Sequence, residues 1–314
     1  PVRAWRGAEE LDLGTPRRRA VLGLLATRAN RAVSRDELID GLWGEGPPAS
    51  AVNALHGYVA RLRAALEPRR AHRAPGAILV ASGPGYLLRL APGQLDAEVF
   101  SRQLASARAA LAGGDPGAAV RSFDAALRLW QAAPLSGIAG PWAEIERIRL
   151  GEQRLTAVEE RIEVVLALGG HAGAADQLAA LVREHPLREG LHGQLMVALY
   201  RCGRQAEALA AFAAARRVLA GELGIEPGAG LRRLHARILS ADPSLDPPAG
   251  NATAPPAGPS SAGWGPRPVP AQLPADVDAF TGRETERMAE PLATCAHAWA
   301  AGGPRGARAG RSGP

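Results

Sequence analysis

The run from Ser50 to Leu66, SAVNALHGYVARLRAAL, constrains this chain more than any other stretch. Wound at about 100° per residue, it gathers Val52, Leu55, Val59, Leu62 and Leu66 on one narrow arc, with Ala51 and Tyr58 at the edge. Such an arc must face a core. The opposite arc carries Ser50, Asn53, His56, Gly57, Ala60 and Arg61. These are small side chains, hydrogen-bonding groups and one guanidinium, where a merely solvated helix would carry Glu and Lys. The mixture suits a helix laid against something flat and anionic.

The distribution of charge points the same way. The 314 residues carry a net charge of +6. Residues 1–90 hold 14 Arg against 8 Asp and Glu, residues 91–245 hold 17 against 17, and the remainder holds 6 against 6. All of the excess therefore lies in the first 90 residues, as a polyanion-binding domain requires. With 46% hydrophobic residues the chain can bury a core, and its length gives room for about two domains. No apolar run reaches the ~18–20 residues of a membrane span, and Pro1 opens the chain without a signal segment. The expected location is the cytoplasm, with no membrane partner. Cys202 and Cys295 alone imply neither a disulfide framework nor a Cys-ligated metal.

In chain order, Val2 to Leu13 alternates weakly about Arg6-Gly7-Ala8-Glu9, as a short hairpin does. Thr15-Pro16 supplies an N-cap hydroxyl and a first-turn Pro for a helix whose apolar side is Val21, Leu22, Leu24 and Leu25. Its first turn displays Arg17, Arg18 and Arg19, which oppose the helix dipole and so favour a phosphate role over a solvated one. Ser34-Arg35-Asp36-Glu37 matches a capping box, with Leu38, Ile39, Leu42 and Trp43 buried behind it. After Glu67-Pro68 the period changes. Ala77–Val80 and Tyr86–Leu90 read as strands about a Ser82-Gly83-Pro84-Gly85 turn, which is no phosphate loop because no helix follows. Three helices and a hairpin make a winged helix-turn-helix over residues 1–90.

The run PRRRAVLGLLATRANRAVSRDELIDGLWGEGPPASAVNALHGYVARLRAALEP, followed by GYLLRL, closely resembles the OmpR-type DNA-binding domain of the Streptomyces antibiotic regulatory protein family. The resemblance implies that the third helix enters the major groove while the wing reaches the neighbouring minor groove or backbone. It also implies a native N-terminal strand before Pro1. On that helix Asn53 can pair with an adenine edge and His56 can donate to a guanine acceptor. Ser50 lies beside them, and Gly57 and Ala60 let the backbone approach closely. Arg17, Arg18, Arg19, Arg35, Arg61, Arg63 and Arg73, with Ser82 and Gly83 at the wing tip, are the expected phosphate contacts. Tyr58, Trp43 and Tyr86 read as core aromatics.

Beyond Ala91-Pro92-Gly93 the chain becomes Ala- and Leu-rich helix. Gly114, Ala119, Phe123 and Ala126 match Gly203, Ala208, Phe212 and Ala215 in spacing, and Gly170, Ala175 and Ala179 follow loosely. The pattern approaches the ~34-residue tetratricopeptide repeat, with Pro186 and Pro227 as breakers between helices. Phe123 and Phe212 are expected in the core, and His185 and His192 make a poor metal pair. HPLREGLHGQLMVALYRCGRQAEALAAF and RRVLAGELGIEPGAGLRRLHARIL resemble the bacterial transcriptional activator domain of the same family. That resemblance implies dimerisation on DNA and communication with RNA polymerase. An all-α, tetratricopeptide-like domain is thus expected over residues 95–242, folding by itself.

From Pro243 the sequence reads as a Pro/Gly-rich linker and disordered tail to 314. Gln272–Asp276 and Phe280–Glu284 resemble the lead-in to the ATPase domain of larger, AfsR-like members, yet no Gly-Lys-Ser/Thr phosphate loop follows. The ATPase portion is read as missing. The expected function is a sequence-specific activator that binds direct repeats as a dimer and recruits RNA polymerase to secondary-metabolite promoters. The competing reading is a helical-repeat interaction scaffold on a nonspecific DNA-binding platform, which gives no reason for the concentrated charge. No nucleophile, base and orienting group can be assembled, so an enzyme is not expected, nor a cofactor or metal.

Overall fold

Apolar periodicity and helix caps build the first part of the molecule. In the computed structural model, which describes residues 1–69 and 76–246, β1 (Trp5–Arg6) and β2 (Glu9–Glu10) form the expected hairpin about Gly7. The helix α1 (Pro16–Thr27) starts where Thr15-Pro16 predicts, with one correction. The Thr15 hydroxyl accepts no capping hydrogen bond; its carbonyl takes Arg19 N–H at 3.1 Å. In α2 (Arg35–Trp43) the capping box is complete: Ser34 Oγ accepts Glu37 N–H at 3.1 Å and Ser34 N–H donates to Glu37 Oε2 at 2.9 Å. Leu38, Ile39 and Leu42 are buried behind it, whereas Trp43 is half-buried.

The third helix, α3 (Ala51–Leu66), buries Ala51, Leu55, Val59 and Leu62. Val52, expected in the core, is 44% exposed. The buried arc of α3 runs around the helix from Ala51 to Val59, and Val52 stands at its edge beside the exposed His56.

A strand not foreseen from sequence, β3 (Ala32–Ser34), joins β4 (Leu79–Ser82) and β5 (Gly85–Leu88) in an antiparallel sheet of order β3-β5-β4. The wing strands are shifted from their expected bounds because Ser82 pairs with Gly85 across the two-residue Gly83-Pro84 turn, with Gly83 at φ +53°. Gly85 permits the sheet. A Cβ there would fall 1.8 Å from the Val33 carbonyl oxygen on β3.

The helical part comprises α4 (Asp96–Ala112), α5 (Pro116–Leu127), the long α6 (Pro141–Ala167), α7 (His171–Glu184), α8 (Glu189–Arg201), α9 (Gln205–Leu223) and α10 (Ala229–Leu239). Pro186 and Pro227 fall between helices as predicted. Ala119, Phe123 and Ala126 are fully buried between α4 and α5, and Ala208 and Ala215 between α8 and α9. Phe212 is half-buried and stacks on His235 at 4.0 Å between ring centroids.

The middle repeat is displaced by one residue from the sequence reading. Gly169, at φ +90°, takes the place of Gly114 (φ +77°) and Gly203 (φ +75°), so Ala174 and Leu178 hold the equivalent buried positions; Ala175 is buried as expected, while Ala179 is exposed. Gly169 and Gly203 are 34 residues apart, the tetratricopeptide period. Positive φ after each helix selects the Gly that counts.

Two expectations about boundaries need correction. Pro243–Leu245, read as the start of a linker, forms a 3-10 turn with Leu245 buried and its carbonyl held by Arg201 Nε at 2.8 Å. The helical region is also not closed on itself at its start. Leu135, Ile138 and Ala143 belong to the same buried cluster as Leu25, Leu38 and Leu55 of the winged helix. The rest of the linker and tail, residues 247–314, lies outside the described residues.

Candidate nucleic-acid interface

The exposed face of α3 assembles the side chains that its sequence places there. Ser50, Asn53, His56, Gly57, Ala60 and Arg61 are all exposed. Ser50 precedes the helix and its hydroxyl makes no cap; its carbonyl accepts Ala54 N–H at 2.9 Å. No hydrogen bond or ion pair to another described residue engages the side chains of Asn53, His56 or Arg61. The face therefore presents an amide, an imidazole and a guanidinium with their donors open to a partner.

Gly57 shapes the middle of this face. A mid-helix Gly costs about 1 kcal/mol relative to Ala, and at some positions in this chain the packing requires it. At Gly41, for instance, a Cβ would lie 2.5 Å from Leu24 Cδ1 and 3.3 Å from Trp142 Cβ. At Gly57 an added Cβ would meet nothing within 4 Å, and the residue is helical with ordinary φ. Gly151, Gly173 and Gly221 are equally uncovered on other helices, so at Gly57 the absence of a side chain leaves the middle of this face flat without by itself assigning it a role.

The wing sits beside the N-terminus of α2. Arg35 donates from Nε to the Pro84 carbonyl at 2.8 Å, and its backbone N–H reaches the same oxygen at 3.3 Å. Arg35, Ser82 and Gly83 are thereby brought together at one end of the three-stranded sheet. A Cβ on Gly83 would meet nothing within 4 Å, which leaves the turn open to approach.

The other expected phosphate ligands are not brought together. Arg17 donates from Nη1 to the Leu42 carbonyl and lies 5.3 Å from the Trp43 ring. Arg18 folds over Gly14, where a Cβ would come within 1.7 Å of its Nη2, while Arg19 faces the β1–β2 hairpin near Glu10. Successive residues on a helix diverge by about 100°, so three adjacent Arg do not make one patch. Arg63 donates from Nε to the Leu79 carbonyl at 2.8 Å and lies 5.7 Å from the Tyr86 ring, tying α3 to the wing. Arg63 is half-buried in these contacts, whereas Arg35, which makes a similar bond to Pro84, stays exposed. Arg73 lies outside the described residues.

Val52 is the surface residue that the sequence reading missed, because the buried arc is centred between Ala51 and Leu55 and leaves Val52 at its edge. Among the described residues, no group of three His, Cys, Asp or Glu is placed to hold a metal ion, and no helix is long and apolar enough to cross a membrane. His192, buried, is bonded through Nε2 to the Pro186 carbonyl at 2.8 Å.

Comparison with known proteins agrees with this geometry in order and extent. Residues 8–88 match the family described as Transcriptional regulatory protein, C terminal, and residues 95–239 match the Bacterial transcriptional activator domain. The chain is 45% identical over 284 residues to the regulatory protein AfsR of Streptomyces coelicolor, covering 90% of this chain and 27% of AfsR. It is 39% identical to the regulatory protein DnrI of Streptomyces peucetius over 73% of this chain and 85% of DnrI. Among solved structures, Mycobacterium tuberculosis EmbR in complex with a low-affinity phosphopeptide superimposes with a TM-score of 0.69 at 36% identity, over 74% of this chain and 61% of that one. The chain spans about a quarter of the length of the AfsR proteins it matches. With both domains matched in order and most of DnrI covered, this chain belongs to the Streptomyces antibiotic regulatory protein family of transcriptional regulators.

Proposed function

We propose that this chain is a sequence-specific DNA-binding transcriptional activator whose α3 lies in the major groove. The observation that carries the reading is the open face of α3, where the exposed side chains of Asn53, His56 and Arg61 engage no described residue and flank the uncovered Gly57. Asn53 and His56 are the base-reading side chains, flanked by Ser50 and Ala60. Arg61 and Arg35, with the wing-tip Ser82 and Gly83, contact phosphate and set the register. The helical region pairs two copies on direct repeats and meets RNA polymerase. Secondary-metabolite promoters are the targets this family membership suggests.

The test is selection of bound duplexes from a random pool with the full chain, followed by binding across a salt series. The expected product is two short half-sites in direct repeat, about one helical turn apart. Asn53→Ala is expected to cost about 1–3 kcal/mol on that site and little on random DNA. A pool with no recovered motif, bound only until moderate salt, would overturn specific recognition.

A further inference from the structure

The fold gives Val52 no reason to be valine. It is 44% exposed in the first turn of α3, whereas Leu55 and Val59 on the following turns are buried. A β-branched residue loses side-chain freedom in a helix, and here burial compensates only in part. It stands between the buried Leu55 on one side and the exposed His56 on the other. At 100° per residue Val52 stands about 40° from His56 and about 100° from Asn53, so it forms one border of the face that those residues occupy. Helix side chains lean towards the N-terminus, so Val52 and Asn53 both project from the leading end of α3.

A leading helix end inserted in a major groove meets base edges. Of the groups displayed there, only the thymine C5-methyl is apolar; every other distinguishing group is a hydrogen-bond donor or acceptor, which a Val side chain would desolvate without satisfying. We propose that Val52 is a specificity-determining residue that reads a thymine C5-methyl beside the base pairs read by Asn53 and His56. The inference rests on α3 being the major-groove helix. Contact with the methyl removes apolar surface from both partners, and contact with a cytosine or purine at that position would leave a polar edge uncovered.

The experiment measures binding of the full chain to its selected site with each thymine replaced in turn by deoxyuridine, which removes only the methyl. Wild type, Val52→Ala and Asn53→Ala are compared, with melting temperatures to show that each variant folds. Wild type is expected to lose about fourfold at one thymine, the worth of one buried methyl. Val52→Ala is expected to bind the thymine and deoxyuridine forms of that position alike, while Asn53→Ala keeps the discrimination. A Val52→Ala chain that still discriminates as wild type does, or a site indifferent to every replacement, overturns the Val52 contact. If Asn53→Ala nonetheless loses affinity only on the specific site, α3 remains the reading helix. If Asn53→Ala loses nothing there, or no site is recovered, the major-groove reading falls and takes this inference with it.

Discussion

Arg61 and Arg63 stand on the same helix and carry the same charge, yet their guanidinium groups have different surroundings. Arg61 is exposed and engages no described residue, whereas Arg63 is half-buried against the Leu79 carbonyl and the Tyr86 ring. Residue type identifies which side chains can contact phosphate; it does not reveal which have found a partner inside. Replacing Arg61 by Ala is expected to weaken binding to specific and random DNA alike and to reduce the salt slope by about one. Arg63→Ala is expected instead to lower folding stability by about 1–2 kcal/mol, from the lost hydrogen bond and ring contact, with the salt slope unchanged. Titration of both variants across salt, beside denaturant unfolding, separates the two roles. Asn53, His56 and Gly57 were legible because helical phase puts them well outside; Val52 was not, because it lies at the edge of the apolar arc and the arc's centre is set by packing that reaches Ala51.

At the scale of elements, the parts that were legible are those with local chemistry. Ser34 and Glu37 announce the start of α2, and the bonds they make are local enough to follow from spacing. By contrast, β3 has three residues and is defined by pairing with β5, some fifty residues later, at the Gly85 approach. Its register depends on a long-range contact that no alternation over three residues can encode. The same holds for the middle helical repeat, whose phase is fixed by the left-handed backbone at Gly169 rather than by Gly170. Ser34→Ala is expected to destabilise the winged helix by about 1 kcal/mol in denaturant unfolding. The Ser34 backbone N–H, then the Arg28 guanidinium and the Ser34 hydroxyl, hold the Glu37 carboxyl below its ordinary pKa. Because the folded value is the lower one, this contribution is complete above the unfolded value of about 4.3 and is lost as pH falls through the folded one. The stability difference between Ser34→Ala and wild type should therefore shrink on acidification through that window. A difference independent of pH would assign the loss to the hydroxyl cap alone.

At the scale of the whole molecule, a division near Ala91-Pro92-Gly93 follows composition but not the core. Leu135, Ile138 and Ala143 are buried with the winged-helix residues, and Trp142 packs against that cluster. The start of α6 approaches both α1 and α2 closely: a Cβ on Gly23 of α1 would lie 3.0 Å from the Trp142 ring, and one on Gly140 would lie 2.9 Å from the carbonyl oxygen of Gly41 on α2. Arg147 then ties α6 to the preceding loop through the Ile138 carbonyl at 2.8 Å. Sequence could not show this, since an Ala-rich helix with Trp near its start looks the same whether that Trp meets its own repeat or an earlier domain. The consequence is mechanical. A helix that shares a core with α1 and α2 fixes the orientation of α3 relative to the repeats, so two copies paired through the repeats would present their reading helices at a set spacing. Trp142→Ala is accordingly expected to destabilise α1 and α2, by about 2 kcal/mol for a partly buried aromatic, and to speed hydrogen exchange of Leu24, Leu25, Leu38 and Leu42 amides. The exchange of α8 and α9 should change less. If α1 and α2 kept their protection while only α6 lost it, the winged helix would be an independent folding unit, and the spacing of half-sites would have to be set by DNA rather than by the protein.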